Sequence, residues 1–277
     1  MPLPAVTQAL PYVAWIILVT LAVGAFCFAA ITRQRSGATR GYLGFVSVSV
    51  AILAGLALLS DWGLPATDRL VIQSSDATLT FVRQAGLAAF AVLAIVYVFA
   101  LRGRLPTLPV AVATIAAAAI ALLAAGFGWA PSSVDAVPLI VQLGVLSAVT
   151  GGSMAAIALG HWYLVTPKLP VEPLVMQSRM LLNLVGIQVL LFIVWTTLGG
   201  GPGQDAFDAF SGGTLVLVAL RLVVTLLFPL VLCYMALRTA QTRSMESATG
   251  LLYINLAAVM AGTIGAAALY VSAGLLV

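Results

Sequence analysis

The chain has 277 residues, of which 62% are hydrophobic and 7% are charged, and its mean hydropathy is +1.16. Soluble domains carry about a quarter charged residues, so this composition excludes an ordinary soluble fold and predicts a lipid-embedded chain. The net charge of +4 is spread over short loops and does not form the basic patch of a nucleic-acid-binding protein.

Eight apolar stretches are long enough to cross a bilayer, which takes about 20 residues for a core of about 30 Å. The sequence therefore predicts an all-α integral membrane protein, a bundle of eight transmembrane helices in a single domain over residues 1–277. The predicted spans lie at approximately 11–32, 42–60, 82–101, 109–130, 138–165, 175–198, 214–237 and 249–276.

The basic residues alternate between the two sides of this plan. Nine Lys or Arg residues follow the odd-numbered spans, and two lie in the loops on the other side. Because positive charge concentrates on the cytoplasmic side, both termini are predicted on the non-cytoplasmic side of a bacterial cytoplasmic membrane. The first ten residues contain no Lys or Arg, and Arg33 and Arg35 follow the first span, so this span is predicted to be a retained helix.

The acidic residues are predicted to lie outside the hydrocarbon. All eight fall in loops or at span boundaries: Asp61, Asp68, Asp76, Asp135, Glu172, Asp205, Asp208 and Glu246. The interior is then expected to contain no anion, which weakens any mechanism in which a buried carboxylate carries a proton or a cation.

Two outer loops, 61–81 and 199–213, are long enough to cover a ligand or to contact a partner. In the first, the apolar group 70–72 is predicted to form a short interfacial helix or strand. The second is Gly-rich and is predicted to fold over the outer surface.

Spans three and seven share two short sequence matches. Both open with Thr-Leu and close with Ala-Leu-Arg, and both matches are shifted by 136 residues. This pattern indicates a four-plus-four repeat. A chance match is the alternative, because Ala, Leu and Thr are abundant in the chain.

Arg221 is the most informative residue, because it lies about two turns into span seven. A guanidinium at that depth costs a few kcal/mol unless it is paired, solvated or extended toward the interface. Its predicted partners are Asp205 or Asp208, backbone carbonyls, another subunit or an anionic ligand, and Arg83 and Gln84 are expected nearby. The functional hypothesis is an outer-leaflet site for a quinone carbonyl, a lipid phosphate or a carboxylate. The alternative is a structural arginine.

Span six carries Asn183 and Gln188, whose amides are predicted to form interhelical hydrogen bonds. The alternative is a polar cavity that these amides line together with Arg221, Thr225 and Asn255. Pro229 removes a backbone hydrogen bond in span seven and predicts a kink there.

His161 is the single histidine, in a Gly-His-Trp-Tyr sequence at the cytoplasmic end of span five. One histidine excludes bis-histidine haem ligation within the chain, and no metal-ligand cluster is present. The His-Trp-Tyr sequence is typical of an aromatic belt. The alternatives for His161 are a quinone or proton-handling role and ligation of a pigment.

The loop after span five is stiffened by Pro167 and its neighbouring prolines. Glu172 is predicted to pair with Lys168 or Arg179 in this loop. Pro167, Lys168 and Glu172 on this side, with Asp205 and Asp208 on the other, are the candidate residues for docking a partner.

The plan of eight spans with both ends outside is similar to the haem-free quinol-interacting anchor subunits of bacterial oxidoreductases, a resemblance of architecture that carries over no residue. The sequence predicts a non-catalytic integral subunit of a larger membrane complex that contacts quinone or lipid, with no required cofactor. Its predicted partners are the bilayer and other membrane subunits or further copies of the chain, and not nucleic acid. A secondary transporter of a small or anionic solute is the alternative. A lipid-modifying enzyme is disfavoured because no base, metal set or nucleotide motif is present.

Overall fold

Eight long helices account for most of the chain. A computed structural model describes residues 3–68, 70–73, 75–166, 168–211 and 214–277, with side chains from residue 8 onward, and within these ranges no strand occurs. Each helix is long and apolar enough to cross a membrane, which confirms the predicted helical class and gives eight helices that could be spans. The helices are α1 (Leu3–Ser36), α2 (Arg40–Trp62), α3 (Ala77–Leu101), α4 (Thr107–Trp129), α5 (Ser133–Val165), α6 (Glu172–Leu198), α7 (Leu215–Gln241) and α8 (Met245–Ala273).

Polar residues just before several helices fix where those helices begin. Asp76 Oδ1 accepts a hydrogen bond of 2.6 Å from Leu79 N at the start of α3. Ser132 Oγ accepts one of 3.2 Å from Asp135 N at the start of α5. These side chains bond amide groups that have no partner within the helix, so they stop the helix from extending further toward the N-terminus.

The last helix ends before the approximate end of the last predicted span at 276. The helix α8 ends at Ala273, because Gly274 adopts a left-handed conformation with φ of 69° and its N–H bonds Tyr270 O at 2.9 Å. Glycine reaches this conformation without steric cost. Residues 275–277 therefore turn back into the bundle, where Val277 is buried.

The helix α7 changes its hydrogen-bond pattern in the middle. Residues Leu215–Leu222 and Phe228–Gln241 are α-helical, and Val223–Leu227 between them form a π-helical segment. Phe228 N bonds Val223 O, five residues earlier, and Pro229 follows without an N–H group. The sequence located this irregularity at Pro229, whereas the π geometry just before it was not predicted. Such π segments are frequent at functional sites.

The helices α1 and α5 cross at the centre of the bundle through two glycines. A Cβ atom added to Gly24 would lie 1.7 Å from Ser147 O, and one added to Gly151 would lie 2.4 Å from Ala25 N. The two backbones therefore touch, which is how helices gain packing energy when lipid gives no hydrophobic drive for association.

The other helices are arranged around this pair in two groups of four. Successive helices pack within α1–α4 and within α5–α8, and α5 also packs on α8. Across the centre, α1 contacts α6 and α8, while α5 contacts α2 and α4. Each central helix thus touches the second and fourth helices of the other group.

Residues 63–68, 70–73, 75–76 and 199–211 cover one end of the bundle, which we call the outer end. The predicted helix or strand at 70–72 is wrong, because these residues form bends. They are fixed instead by long-range contacts: Val71 N bonds Val271 O at 3.3 Å, and Ile72 is buried. The Gly-rich loop folds back on α6, where Phe207 N bonds Thr196 O at 2.9 Å.

Candidate functional site

A groove of about 400 Å³ lies between α7 and α8, on the side of the bundle. The helix α8 lines it with small residues, Ala261, Gly262, Gly265 and Ala268. The helix α7 contributes Leu217 and Leu220, which are 54% and 50% exposed. Small residues on one wall and apolar residues on the other make a cleft that suits a hydrocarbon chain.

Arg221 lines this groove, and its side chain is buried, with 4% exposure. Its Nη1 donates to Thr225 Oγ1 at 3.1 Å, and its Nε donates to the main-chain oxygen of Val277 at 3.4 Å. Its Nη2 has no hydrogen-bond partner among the described residues. A guanidinium carries five donors, so the described residues leave this one without a full set of acceptors.

Local features of the two helices place the guanidinium there. Thr225 lies one turn after Arg221 in the π segment, and its hydroxyl also donates to Arg221 O at 2.7 Å. On the facing helix, a Cβ atom at Gly262 would lie 2.4 Å from Arg221 Nη1. The glycine is therefore needed for the arginine to lie against the backbone of α8.

The buried turn at 275–277 completes the polar surroundings of Arg221. Val277 O also accepts from Gln142 Nε2 at 3.1 Å, and Gln142 Oε1 accepts from Trp195 Nε1 at 3.1 Å. Neutral groups from α5 and α6 are thus connected to the site.

The predicted pairing of Arg221 with Asp205 or Asp208 is not observed. The Asp208 carboxylate instead accepts from Asp205 N at 2.9 Å within the outer loop. The cause is that this loop folds back on α6 and satisfies its own polar groups.

Arg83, which was expected near Arg221, lies in a different site between α2, α3 and α4. Its Nε donates to Asp61 Oδ2 at 2.6 Å and its Nη2 to Asp61 Oδ1 at 3.2 Å. Gln84 Nε2 donates to the same carboxylate at 2.9 Å, and Arg83 Nη1 donates to Ser75 Oγ at 2.8 Å. The two side chains of this ion pair are 4% and 0% exposed, so the prediction of an interior without an anion is wrong. Asp61 is at a helix end, but its side chain points into the bundle.

Two tryptophans surround the Arg83–Asp61 pair. The Arg83 guanidinium carbon lies 5.9 Å from the ring centroid of Trp15 and 5.3 Å from that of Trp129. These distances fit cation–π contacts, which add to the stabilisation of a desolvated arginine. Arg83 is therefore fully paired, in contrast to Arg221.

The remaining predicted site residues do not join the groove. His161 is exposed at the inner end of α5, and Asn183 is exposed on α6 beside Arg179. Gln188 is buried, yet neither of its amide atoms has a partner in the described part of the chain. The hydrogen bonds predicted for these amides are not observed. The side-chain amide of α6 that does bond another helix is that of Gln177, whose Nε2 donates to Thr32 Oγ1 at 2.7 Å and Tyr42 OH at 2.9 Å.

The docking candidates lie on the surface. Lys168 and Glu172 are exposed at the inner end, and Pro167 lies outside the described residues. The ion pair predicted for Glu172 is not observed, since the one ion pair in the described ranges is Arg83–Asp61.

Sequence reasoning missed several residues of the two buried arginine sites. Gly262 and Val277 contact Arg221 from far away in sequence, and Gln142 of α5 donates to the same Val277 oxygen. Nothing in their local sequence marks them as neighbours of an arginine. Asp61 had one sequence signal, its position in the last turn of an apolar helix. A carboxylate there can point either to solvent or into the core.

The fold and these sites define a class: an all-helical protein of the multi-pass membrane type, with eight helices long and apolar enough to span a membrane and a buried arginine beside an apolar groove. In the parts of the chain that the structure describes, no group of His, Cys, Asp and Glu residues is placed to hold a metal ion. Comparison with protein-family models, curated proteins and solved structures finds no match to this chain.

Proposed function

We propose that this chain is a non-catalytic integral subunit of a larger membrane complex, and that it holds a quinone or a lipid in the groove between α7 and α8. The observation that carries the proposal is Arg221, a buried cation beside an apolar groove, with one guanidinium nitrogen that has no partner in the part of the chain that the structure describes. An amphiphile supplies the complementary pair of properties, a polar acceptor for Arg221 and an apolar tail for the groove.

The distribution of charge supports an outer-leaflet position for this groove in a bacterial cytoplasmic membrane. The loops opposite the outer end, and the residues beside them, carry nine of the twelve Lys and Arg residues. By the positive-inside rule they face the cytoplasm, so both chain ends lie outside and Arg221 lies in the outer half of the bilayer.

An exposed apolar patch at the outer end supports assembly with a partner subunit. Leu198, Phe207 and Phe210 are 73%, 59% and 40% exposed around the end of α6. Phe207 also has a φ of 66°, which is uncommon for a residue other than glycine. A backbone conformation that presents an aromatic side chain outward fits a contact surface for another membrane protein.

A secondary transporter of an anionic solute is the second candidate, because two groups of four helices around α1 and α5 suit a repeat of the kind transporters use. The direct backbone contact at Gly24 and Gly151 resists the relative motion of the two groups that alternating access needs. We therefore favour a binding subunit.

The proposal predicts that the protein purified from native membranes in mild detergent carries a nearly stoichiometric quinone or lipid. Replacing Arg221 with Leu removes the polar contact and should release it. Gly262→Ala keeps the arginine but displaces its guanidinium, and it should have the same effect. The bound molecule is measured by solvent extraction and mass spectrometry, and partner subunits by native mass spectrometry of the same sample.

Gly250→Ala is the matched control, since it alters the same helix at a position with open space around it. Equal ligand content in the Arg221→Leu, Gly262→Ala and Gly250→Ala proteins would remove the site. A protein without partner subunits that moves a solute across liposomes would instead favour the transporter.

A further inference from the structure

A second groove, of about 520 Å³, lies between α2 and α3 at the inner end of the bundle, and we call it the inner groove. The helix α2 leads into the outer loop and α3 leaves it, so the start of α2 and the end of α3 lie side by side at the inner end. Apolar side chains of both helices line the inner groove, among them Phe45 and Val48 of α2 and Val98 of α3. Phe45 and Val48 are 56% and 41% exposed, so this apolar wall is open to the surroundings.

Two arginines line the inner groove beside its apolar wall. Arg40 is the first residue of α2, and Arg102 directly follows the last residue of α3. Both side chains are exposed. All eight side-chain carboxylates of the protein lie in the described ranges, where the one ion pair is Arg83–Asp61. Two cations therefore share the inner groove without an acidic side chain to pair with them.

Two neighbouring clefts at the inner end differ in this respect. The cleft that contains Arg35 and Arg179 also contains Glu172. The cleft that contains Arg243 also contains Glu246. No acidic residue lines the inner groove, so its lining is purely cationic and apolar.

Two glycines of α2 set the shape of the inner groove. A Cβ atom added to Gly41 would lie 2.5 Å from the ring of Trp162, so this aromatic ring of α5 already fills the space beside Gly41. A Cβ atom added to Gly44 would have nothing within 4 Å. The missing side chain at Gly44 therefore leaves open space next to the apolar wall.

We infer that the inner groove binds an anionic phospholipid, with its phosphate at Arg40 and Arg102 and an acyl chain along the apolar wall. A guanidinium binds a phosphate through two parallel hydrogen bonds, and basic pockets between transmembrane helices suit anionic headgroups. In the proposed orientation this site faces the cytoplasmic leaflet, whose surface is negatively charged. The inference requires insertion in a membrane, but it does not depend on the groove at Arg221.

The test compares two headgroups on the purified, delipidated protein by native mass spectrometry. The probes are phosphatidylglycerol and zwitterionic phosphatidylcholine with the same acyl chains. The unaltered protein should bind phosphatidylglycerol about tenfold to thirtyfold more tightly, the preference expected from two arginines at a membrane surface. Replacing both Arg40 and Arg102 with Gln should remove this preference. Replacing Arg33 and Arg238 with Gln removes two other inner-end charges, which do not line the inner groove, and should keep the preference.

A pair of glycine variants on α2 tests whether the lipid lies in the inner groove. Gly44→Leu places a side chain in the open space of the groove and should remove the preference for phosphatidylglycerol. Gly55→Leu is the matched control, because an added Cβ atom there also has nothing within 4 Å and the residue does not line the groove. The Gly55→Leu protein should bind both lipids as the unaltered protein does. Size-exclusion chromatography and thermal unfolding check that all variants are folded.

Three results would overturn the inference. The first is equal affinity of the unaltered protein for the two lipids. The second is a preference that survives in the Arg40→Gln, Arg102→Gln protein, or one that the Arg33→Gln, Arg238→Gln control loses equally. The third is glycerol 3-phosphate binding as tightly as phosphatidylglycerol, since a ligand without acyl chains would then satisfy the site. If Gly44→Leu does not fold, the two arginine pairs decide the question.

Discussion

Replacing Asp61 with Ala is expected to destabilise the protein by about 3–5 kcal/mol, the cost of leaving one member of a buried ion pair without its partner. Asp61 accepts three hydrogen bonds, two from Arg83 and one from Gln84, and its side chain is fully buried. Its removal leaves the Arg83 charge between Trp15 and Trp129 with Ser75 as its remaining hydrogen-bond acceptor. The measurement is the free energy of unfolding in mixed micelles, titrated with a denaturing detergent.

A double variant distinguishes the loss of the whole ion pair from the loss of one of its two charges. Asp61→Leu combined with Arg83→Met removes both charges and fills the space with apolar atoms, so it should be less destabilised than Asp61→Ala alone. Asp68→Ala, which removes an exposed carboxylate of the same outer end, is the matched control and should change stability little. A single Asp61→Ala variant as stable as the Asp68→Ala control would contradict the buried pair.

Gly151→Ala is expected to be the second strongly destabilising change. The added methyl group would lie 2.4 Å from Ala25 N and 2.5 Å from Leu21 O, which are backbone atoms of α1 that cannot rotate away. The helices α1 and α5 must separate to accept it. Overpacking of this kind costs about 1–3 kcal/mol, and the central position of the contact places the expected value at the upper end. Thermal unfolding in detergent, followed by size-exclusion chromatography, measures the loss.

Gly144→Ala provides the control on the same helix, two turns away. Nothing lies within 4 Å of an added methyl group there, so the change gains helix propensity of up to about 1 kcal/mol without a clash. We expect the Gly144→Ala protein to be as stable as the unaltered protein or more so. If Gly151→Ala unfolds at the same temperature as Gly144→Ala, α1 and α5 do not touch as described.

Most of the architecture could be predicted from composition and span length. The helical class and the eight spans depend on local apolar runs, which the bilayer makes nearly obligatory. At the end of α8 the hydropathy signal runs past the helix, because three further apolar residues follow Gly274, where the backbone has already turned.

The sites were harder to predict, because their contacts join distant parts of the chain. Arg221 was identified because a charge deep in an apolar span is rare. Of its predicted partners, the two loop aspartates are not observed, whereas a main-chain oxygen is, and it belongs to the distant Val277. Thr225 of the same helix accepts from Nη1. Asp61 was placed at a boundary correctly, but its direction depends on how α2, α3 and α4 pack together, and no local pattern shows that.

An outer-leaflet site at Arg221 requires a bundle that crosses the membrane eight times with its outer end away from the cytoplasm. Single cysteines at Gln34, Arg104, Asp68 and Ser211, all exposed positions, test this after Cys27 and Cys233 are replaced with Ala. An impermeant maleimide should label Gln34→Cys and Arg104→Cys from the cytoplasmic face, and Asp68→Cys and Ser211→Cys from the opposite face. Labelling of Gln34→Cys and Ser211→Cys from the same face would contradict the topology and the outer-leaflet position of the Arg221 groove.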